Sequence, residues 1–171
     1  MEAPDDRPLT PELLCARYTP RVYRFAAMVA AGDVEAEDLA QDAMVRAIRN
    51  LGRFDAARGS VETWLWRIVV NTAIDAGRVA TRRRRLWERF RAQPTPSENV
   101  EELALMRITA AELLATVRRL RPRERGMIAL RFGAGLDFPE VGAAYGVSPA
   151  AATMATRRAL NTLRILLKET T

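Results

Sequence analysis

The sequence predicts an all-α protein made of two small helical domains joined by a flexible linker. Three observations carry this. Apolar residues recur at helical spacing along most of the chain, with no strand-like alternation of useful length. Charge is divided into blocks: residues 1–45 hold 4 basic and 9 acidic side chains, residues 46–91 hold 12 and 4, residues 92–116 hold 1 and 4, and residues 117–131 hold 6 and 1. Between the two basic blocks lies Gln93-Pro94-Thr95-Pro96-Ser97, where prolines and small polar residues disfavour helix. The first domain is therefore placed at residues 10–91, the linker at 92–112 and the second domain at 113–171. A chain of 171 residues is long enough to close two modest cores of this kind.

The elements follow from local signals. Thr10-Pro11-Glu12 reads as an N-cap followed by proline at the first helical position, and Leu14, Tyr18, Val22, Phe25 and Val29 then form one apolar stripe. Pro20 is expected to kink this helix. Gly32 ends it, and Asp33 caps a second helix whose first turns carry Glu35, Glu37 and Asp38 near the positive end of the dipole. Its buried side is expected to be Leu39, Ala43, Ala47, Ile48 and Leu51.

Ser60 then caps a long helix that runs into Arg82–Arg85. One side of it, Val61, Leu65, Ile68, Thr72, Ala76 and Val79, reads as core. The other carries Trp64, Arg67, Asn71, Asp75, Arg78 and Arg82 at intervals of three and four, which puts them on one face. An aromatic ring, an amide and three guanidiniums on one face suit single-stranded nucleic acid, because they stack on bases, bond base edges and grip phosphates. The plainer reading, with Trp64 in the core and the arginines merely solvated, is equally open on these residues alone.

In the second half, Asp137 and Glu140 fit a capping box that opens a short helix. Gly146 suits a left-handed turn, Gly142 leaves room for a close crossing, and Ser148-Pro149 opens the next helix. This is the spacing of a helix-turn-helix. Val141, Tyr145, Val147, Ala152, Ala159, Leu160 and Leu163 would close its core, leaving Ala150, Thr153, Met154, Arg157 and Arg158 outside. Such a motif enters the major groove with the start of its second helix. Here that start is nearly uncharged, and Ala150, Ala151 and Thr153 offer shape, one hydroxyl and methyl contacts to thymine. Upstream, Arg118, Arg119, Arg121, Arg123 and Arg125 surround Pro122 and are placed to track a DNA backbone.

Composition narrows the function further. The chain has no histidine, which removes the commonest general base and zinc ligand. A nuclease would need converging carboxylates and a metal, whereas the acidic residues are scattered or share one helical stretch. The single cysteine, Cys15, makes neither an internal disulfide nor a structural zinc site. The first residues lack a signal-peptide pattern, and apolar runs such as 26–31 fall far short of the ~20 residues that span a bilayer. A cytoplasmic, non-enzymatic protein without a cofactor, metal site or membrane insertion is expected. Basic side chains exceed acidic ones by six, and 26 of the 27 are arginine, whose planar fork suits phosphate.

Several motifs occur in order: Tyr18 to Phe25 (Y-T-P-R-V-Y-R-F), Ala36 to Gln41 (A-E-D-L-A-Q), Arg53-Phe54-Asp55, and Trp64 to Ile68 with Asn71 to Asp75 and Arg78. Leu120 to Arg125, Leu130-Arg131, Leu136 to Gly142 and Arg158-Ala159 continue them. In these the chain resembles bacterial alternative sigma factors of the extracytoplasmic-function (ECF) class, in the sigma-70 superfamily. The likeness is to the minimal kind, with only a region-two and a region-four domain, and covers about residues 10–168.

The resemblance implies a factor that binds core RNA polymerase through the β′ clamp and the β flap, recognises promoter DNA and nucleates strand opening. It implies polymerase docking by Glu37, Asp38, Gln41 and Asp42, and capture of a flipped promoter base by Phe54, Gly59, Ser60, Trp64, Arg67, Asn71, Asp75 and Arg78. DNA backbone contacts fall to Arg82, Arg83, Arg84, Arg85, Arg121, Arg123 and Arg125. The upstream element is read by a helix carrying Ser148, Ala150, Thr153, Met154, Arg157 and Arg158. An anti-sigma factor is the implied regulator. The chain departs from the family at Ala151 to Ala155, where members usually carry Thr-Val, a basic residue, Ser and Arg. This implies an unusual upstream element or reliance on Arg157, Arg158 and the Arg118–Arg125 cluster, and it suggests as alternatives to the sigma factor a stand-alone helix-turn-helix regulator or a sigma paralogue that sequesters partners without initiating.

Overall fold

The computed structural model describes residues 9–31, 33–90 and 110–169. Among them are seven α-helices and no strand: α1 (Pro11–Val29), α2 (Asp33–Asn50), α3 (Val61–Phe90), α4 (Ala110–Arg118), α5 (Pro122–Ile128), α6 (Phe138–Tyr145) and α7 (Pro149–Lys168). Four of the expected caps are present; the Asp33 side chain, expected to cap α2, lies outside the described residues. Thr10 accepts from the Leu13 amide, Ser60 from Thr63 and Ser148 from Ala151, while Asp137 and Glu140 bond each other's backbone in a full capping box.

Helices α1, α2 and α3 form a bundle around Leu14, Tyr18, Val22, Phe25, Ala43, Leu65 and Trp66, all buried. Three details differ from the periodicity. Ala26, rather than Val29, continues the buried stripe of α1, and Pro20 lies within that helix. Met44 and Ala36 join the expected residues of α2, with Ile48 and Leu51 only partly covered. On α3, Ala76 and Val79 are exposed, because the helix outruns its partners and the covered side turns to Trp66, Val69 and Val70. Gly32, and most of the expected linker, lie outside the described residues; α4 begins at Ala110, inside the stretch assigned to that linker.

In the second half, α6 and α7 form the helix-turn-helix. Gly146 takes the left-handed conformation (φ 66°), and at Gly142 an added Cβ would lie 2.8 Å from the Val147 carbonyl oxygen. Val141, Ala152, Ala159 and Leu163 are buried as expected; Leu160 is exposed, and Thr156 is buried in its stead with its hydroxyl bonded to the Ala152 carbonyl. Burial pushes the Tyr145 hydroxyl up to about 12, so it stays neutral as a packing group. Helix α5 runs on into a π-type turn at Ala129–Gly133, where the Ala134 amide reaches the Ala129 carbonyl at 2.9 Å.

The two halves share a core. One buried apolar cluster passes from Leu14, Phe25, Leu65 and Trp66 to Leu130, Leu136 and Val141. A smaller one, Val117, Leu120, Ile128, Ala159 and Leu163, belongs to the second half.

Candidate nucleic-acid interface

The long helix α3 presents the expected row. Arg67, Asn71, Asp75, Arg78 and Arg82 are exposed along it, and Trp64 is half-buried at its first turn. Trp64 is neither wholly core nor free. Its ring leans on that of Phe54, centroids 5.4 Å apart at 54°, while its other side meets the apolar cluster. Phe54 arrives there on a short connection between α2 and α3, shaped by tight turns at Leu51–Arg53 and Ala56–Arg58 and by the Asp55 carboxylate accepting from the Ala57 amide. Gly59 and Ser60 follow, exposed at the entrance of α3. An aromatic pair, an open loop and, two turns on, the exposed Asn71 amide thus line one edge of the bundle, groups chemically suited to stack on and hydrogen-bond single bases.

Asp75 has a different role from its neighbours. Arg46 of α2 bonds Asp75 at 3.2 Å and Asp42 at 3.0 Å, and Arg78 approaches Asp75 at 3.8 Å. The hydrogen bonds Arg46 donates to both carboxylates, Asp42 first and Asp75 second, raise its pKa above the ordinary value. Asp42 and Asp75, assigned to two separate sites from the sequence, are therefore joined through one guanidinium. That junction was not legible, since nothing in the helical spacing relates the register of α2 to that of α3. Glu37, Asp38 and Gln41 are exposed on the outer side of α2, beside Asp42. Among the described residues no group of three or more acidic or cysteine side chains gathers as metal ligands.

Arg82, Arg83 and Arg85 are exposed at the far part of α3; the Arg84 side chain lies outside the described residues. In the second half, Ala150, Met154, Arg157 and Arg158 face outwards on α7 and Thr153 is half-exposed. A groove of about 670 Å³ runs between α7 and the turn before α5, with Arg119, Arg121, Arg157 and Arg158 on its walls and Met154 among the lining residues. The Thr153 hydroxyl donates back to the Pro149 carbonyl at 2.9 Å, and Ser148 Oγ accepts from the Ala151 amide at 3.2 Å. The first two turns therefore offer mainly methyl and thioether surface, and Arg157 is the first guanidinium.

The five arginines around Pro122 do not share one exposed row. Arg125 turns inward, half-buried, and donates to the Arg118 carbonyl at 3.0 Å; burial first, and the charge of Arg118 second, lower its pKa. Arg118 also points inward, towards the Ala27 carbonyl. Arg119, Arg121 and Arg123 remain exposed and able to meet phosphate. Arg125 thus helps to close the turn between α4 and α5 and is less open to a DNA backbone than Arg121 and Arg123.

Both halves have counterparts. The family model for Sigma-70 region 2 matches residues 14–85, and that for Sigma-70, region 4 matches residues 117–164. RNA polymerase sigma factor CarQ of Myxococcus xanthus is 33% identical over 162 residues, which cover 92% of this chain and 89% of that protein. The chain belongs to the ECF sigma factors of the sigma-70 superfamily. ECF RNA polymerase sigma factor BldN of Streptomyces coelicolor is 30% identical over 162 residues, covering 90% of this chain, which spans only 58% of BldN. The sigma factor RpoE from Bartonella quintana, solved in complex with the anti-sigma factor NepR, shares the fold with a TM-score of 0.72 at 20% identity, over 92% of this chain and 96% of that one. Among the described residues no helix is long and apolar enough to cross a membrane.

Proposed function

We propose that this ECF sigma factor joins core RNA polymerase through the β′ clamp and β flap, brings it to promoter DNA and nucleates strand opening as a non-catalytic subunit. Region two occupies residues 10–91 and region four begins with α4. The observation that carries the reading is the row on α3, with Phe54 against Trp64 at its start and Arg67, Asn71 and Arg78 open to solvent beyond. Holding an extruded base by stacking and amide hydrogen bonds offsets its lost stacking, a few kcal/mol, and so favours the open duplex without ATP. Glu37, Asp38 and Gln41 form the polymerase contact, with Asp42 oriented by Arg46. Region four holds the upstream element by Arg119, Arg121, Arg157 and Arg158 on the phosphates and by Ala150 and Met154 on base methyls. An anti-sigma factor is the proposed regulator, supported by the shared fold with RpoE, which was solved with one.

The docking assignment is tested by measuring binding to core polymerase after charge reversal of Glu37 and Asp38. The reading expects affinity to fall at least tenfold while the helical signal of the free chain is unchanged. Undiminished binding would remove α2 from the docking surface.

A further inference from the structure

The row on α3 contains an acid. Arg67, Asn71, Asp75, Arg78 and Arg82 are exposed along one face, and a carboxylate in the middle of it repels the phosphates that the guanidiniums attract. Asp75 also lies three residues before Arg78, a spacing at which opposite charges on a helix meet. Left to itself, it would cost the row twice, by its own charge and by drawing Arg78 away from a strand.

The neighbouring helix relieves both costs. Arg46 of α2 donates through Nη1 to Asp75 Oδ2 at 3.2 Å, whereas Arg78 Nη1 stands 3.8 Å from the other oxygen and its side chain stays 74% exposed. Arg46 is itself held at two points, since Nε donates to Asp42 Oδ1 at 3.2 Å and Nη2 lies 3.0 Å from Asp42 Oδ2, a fork matched to a carboxylate. Its backbone is fixed as well. The Arg46 carbonyl accepts from the Asn50 side-chain amide at 2.8 Å, and Asn50 Oδ1 accepts from Arg53 at 3.5 Å, one position before Phe54. In this group the charges of Asp42, Arg46, Asp75 and Arg78 cancel; without Arg46 one negative charge is left over.

We propose that Arg46 is a positioning residue for strand capture: it takes up and neutralises the Asp75 carboxylate, and so leaves Arg78 free for a phosphate. This rests on the sigma-factor reading, which supplies the strand. Arg46 acts through Asp75 and not on the nucleic acid, because all three nitrogens of its guanidinium face carboxylates. The bridge needs a planar fork that reaches two carboxylates at once, which the single ammonium of lysine does not provide.

The test uses the full chain preassembled with core polymerase. The probe is a promoter duplex with its melted region left unpaired, taken from a start site mapped by run-off sequencing. Arg46→Gln is expected to weaken binding of that probe about threefold, inside the range of about 1.5- to fivefold over which exposed ion pairs couple, and the loss should fade as salt is raised. Adding Asp75→Asn removes the uncovered charge and is expected to regain most of the loss, with the slope of log affinity against log salt as in the wild type. A purely structural Arg46 gives no such recovery, and an Arg46 that itself held a phosphate would lower the slope of the double variant by about 0.7. Either result would overturn the proposal, as would a single variant that binds like the wild type. Circular dichroism checks the helices of both variants. If Arg46→Gln alone loses them, the double variant, whose group is again neutral, decides by comparison with the wild type. If the wild type maps no start site, the sigma-factor reading fails, and the same series on the free chain with random-sequence single-stranded DNA decides the role of Arg46.

Discussion

Phe54 and Trp64 lean on each other across the entrance of α3, ring centroids 5.4 Å apart and planes at 54°. Neither ring is fully buried, so the pair keeps apolar surface in water that a base could cover. Asn71 lies two turns further on and is exposed. Replacing Asn71 by Ala is expected to lower the open-complex population about fivefold, for one lost hydrogen bond of about 1 kcal/mol, with closed-complex binding unchanged. A permanganate footprint of the melted region, set beside a binding titration, checks this; undiminished melting would remove Asn71 from base capture.

Trp66, two residues from Trp64, does a different job. Among the described residues it is the largest fully buried side chain; it meets Phe25 edge-on at 6.0 Å, and its indole N–H is satisfied by Glu62. Trp66→Ala is expected to destabilise the fold by about 3–5 kcal/mol, whereas Trp66→Phe, which keeps a ring but loses the bond, should cost about 1 kcal/mol. Urea unfolding of both variants gives the comparison. Equal losses would mean that the Glu62 bond, not packing, dominates.

These two tryptophans show what the sequence disclosed. Local signals were legible: Thr10, Ser60, Asp137 with Glu140, and Ser148 each act within three residues, and all cap as expected. The exposed face of α3 was legible too, because helical spacing alone defines it. The near part of its buried side was legible, with Leu65 and Thr72 buried and Val61 and Ile68 packed against the core, but its far part was not, since that depends on where α1 and α2 end; Trp66 and Val69 are buried where Ala76 and Val79 were expected to be. Arg21 and Ala134 are 113 positions apart, and no periodicity reports a bond between them. Arg125 misled for a similar reason: a charged side chain in a basic run gives no sign of turning inward.

Arg157 and Arg158 are exposed on the wall of the region-four groove. If both lie on phosphates, replacing them by Ala should reduce the slope of log affinity against log salt by about 1.8, some 0.9 for each contact. Binding of an upstream-element duplex across a salt series measures it. An unchanged slope would place this helix away from the backbone.

Ala150 and Met154 are exposed where the Thr153 hydroxyl is turned back on its own helix. Reading by methyl contact predicts that deoxyuridine in place of thymine in the upstream element weakens binding roughly fourfold per contacted base, about 0.8 kcal/mol for each buried methyl. Equal affinity for the two duplexes would show that base edges, not methyls, are read.

The central claim, that this chain initiates transcription, is tested most directly by combining the purified protein with core RNA polymerase and sequencing the run-off transcripts from genomic DNA of its source. The account predicts discrete start sites that share paired upstream elements, absent when core polymerase is used alone. Core binding without any initiation would contradict it and mark a sequestering paralogue, and failure to bind core would leave a stand-alone helix-turn-helix regulator.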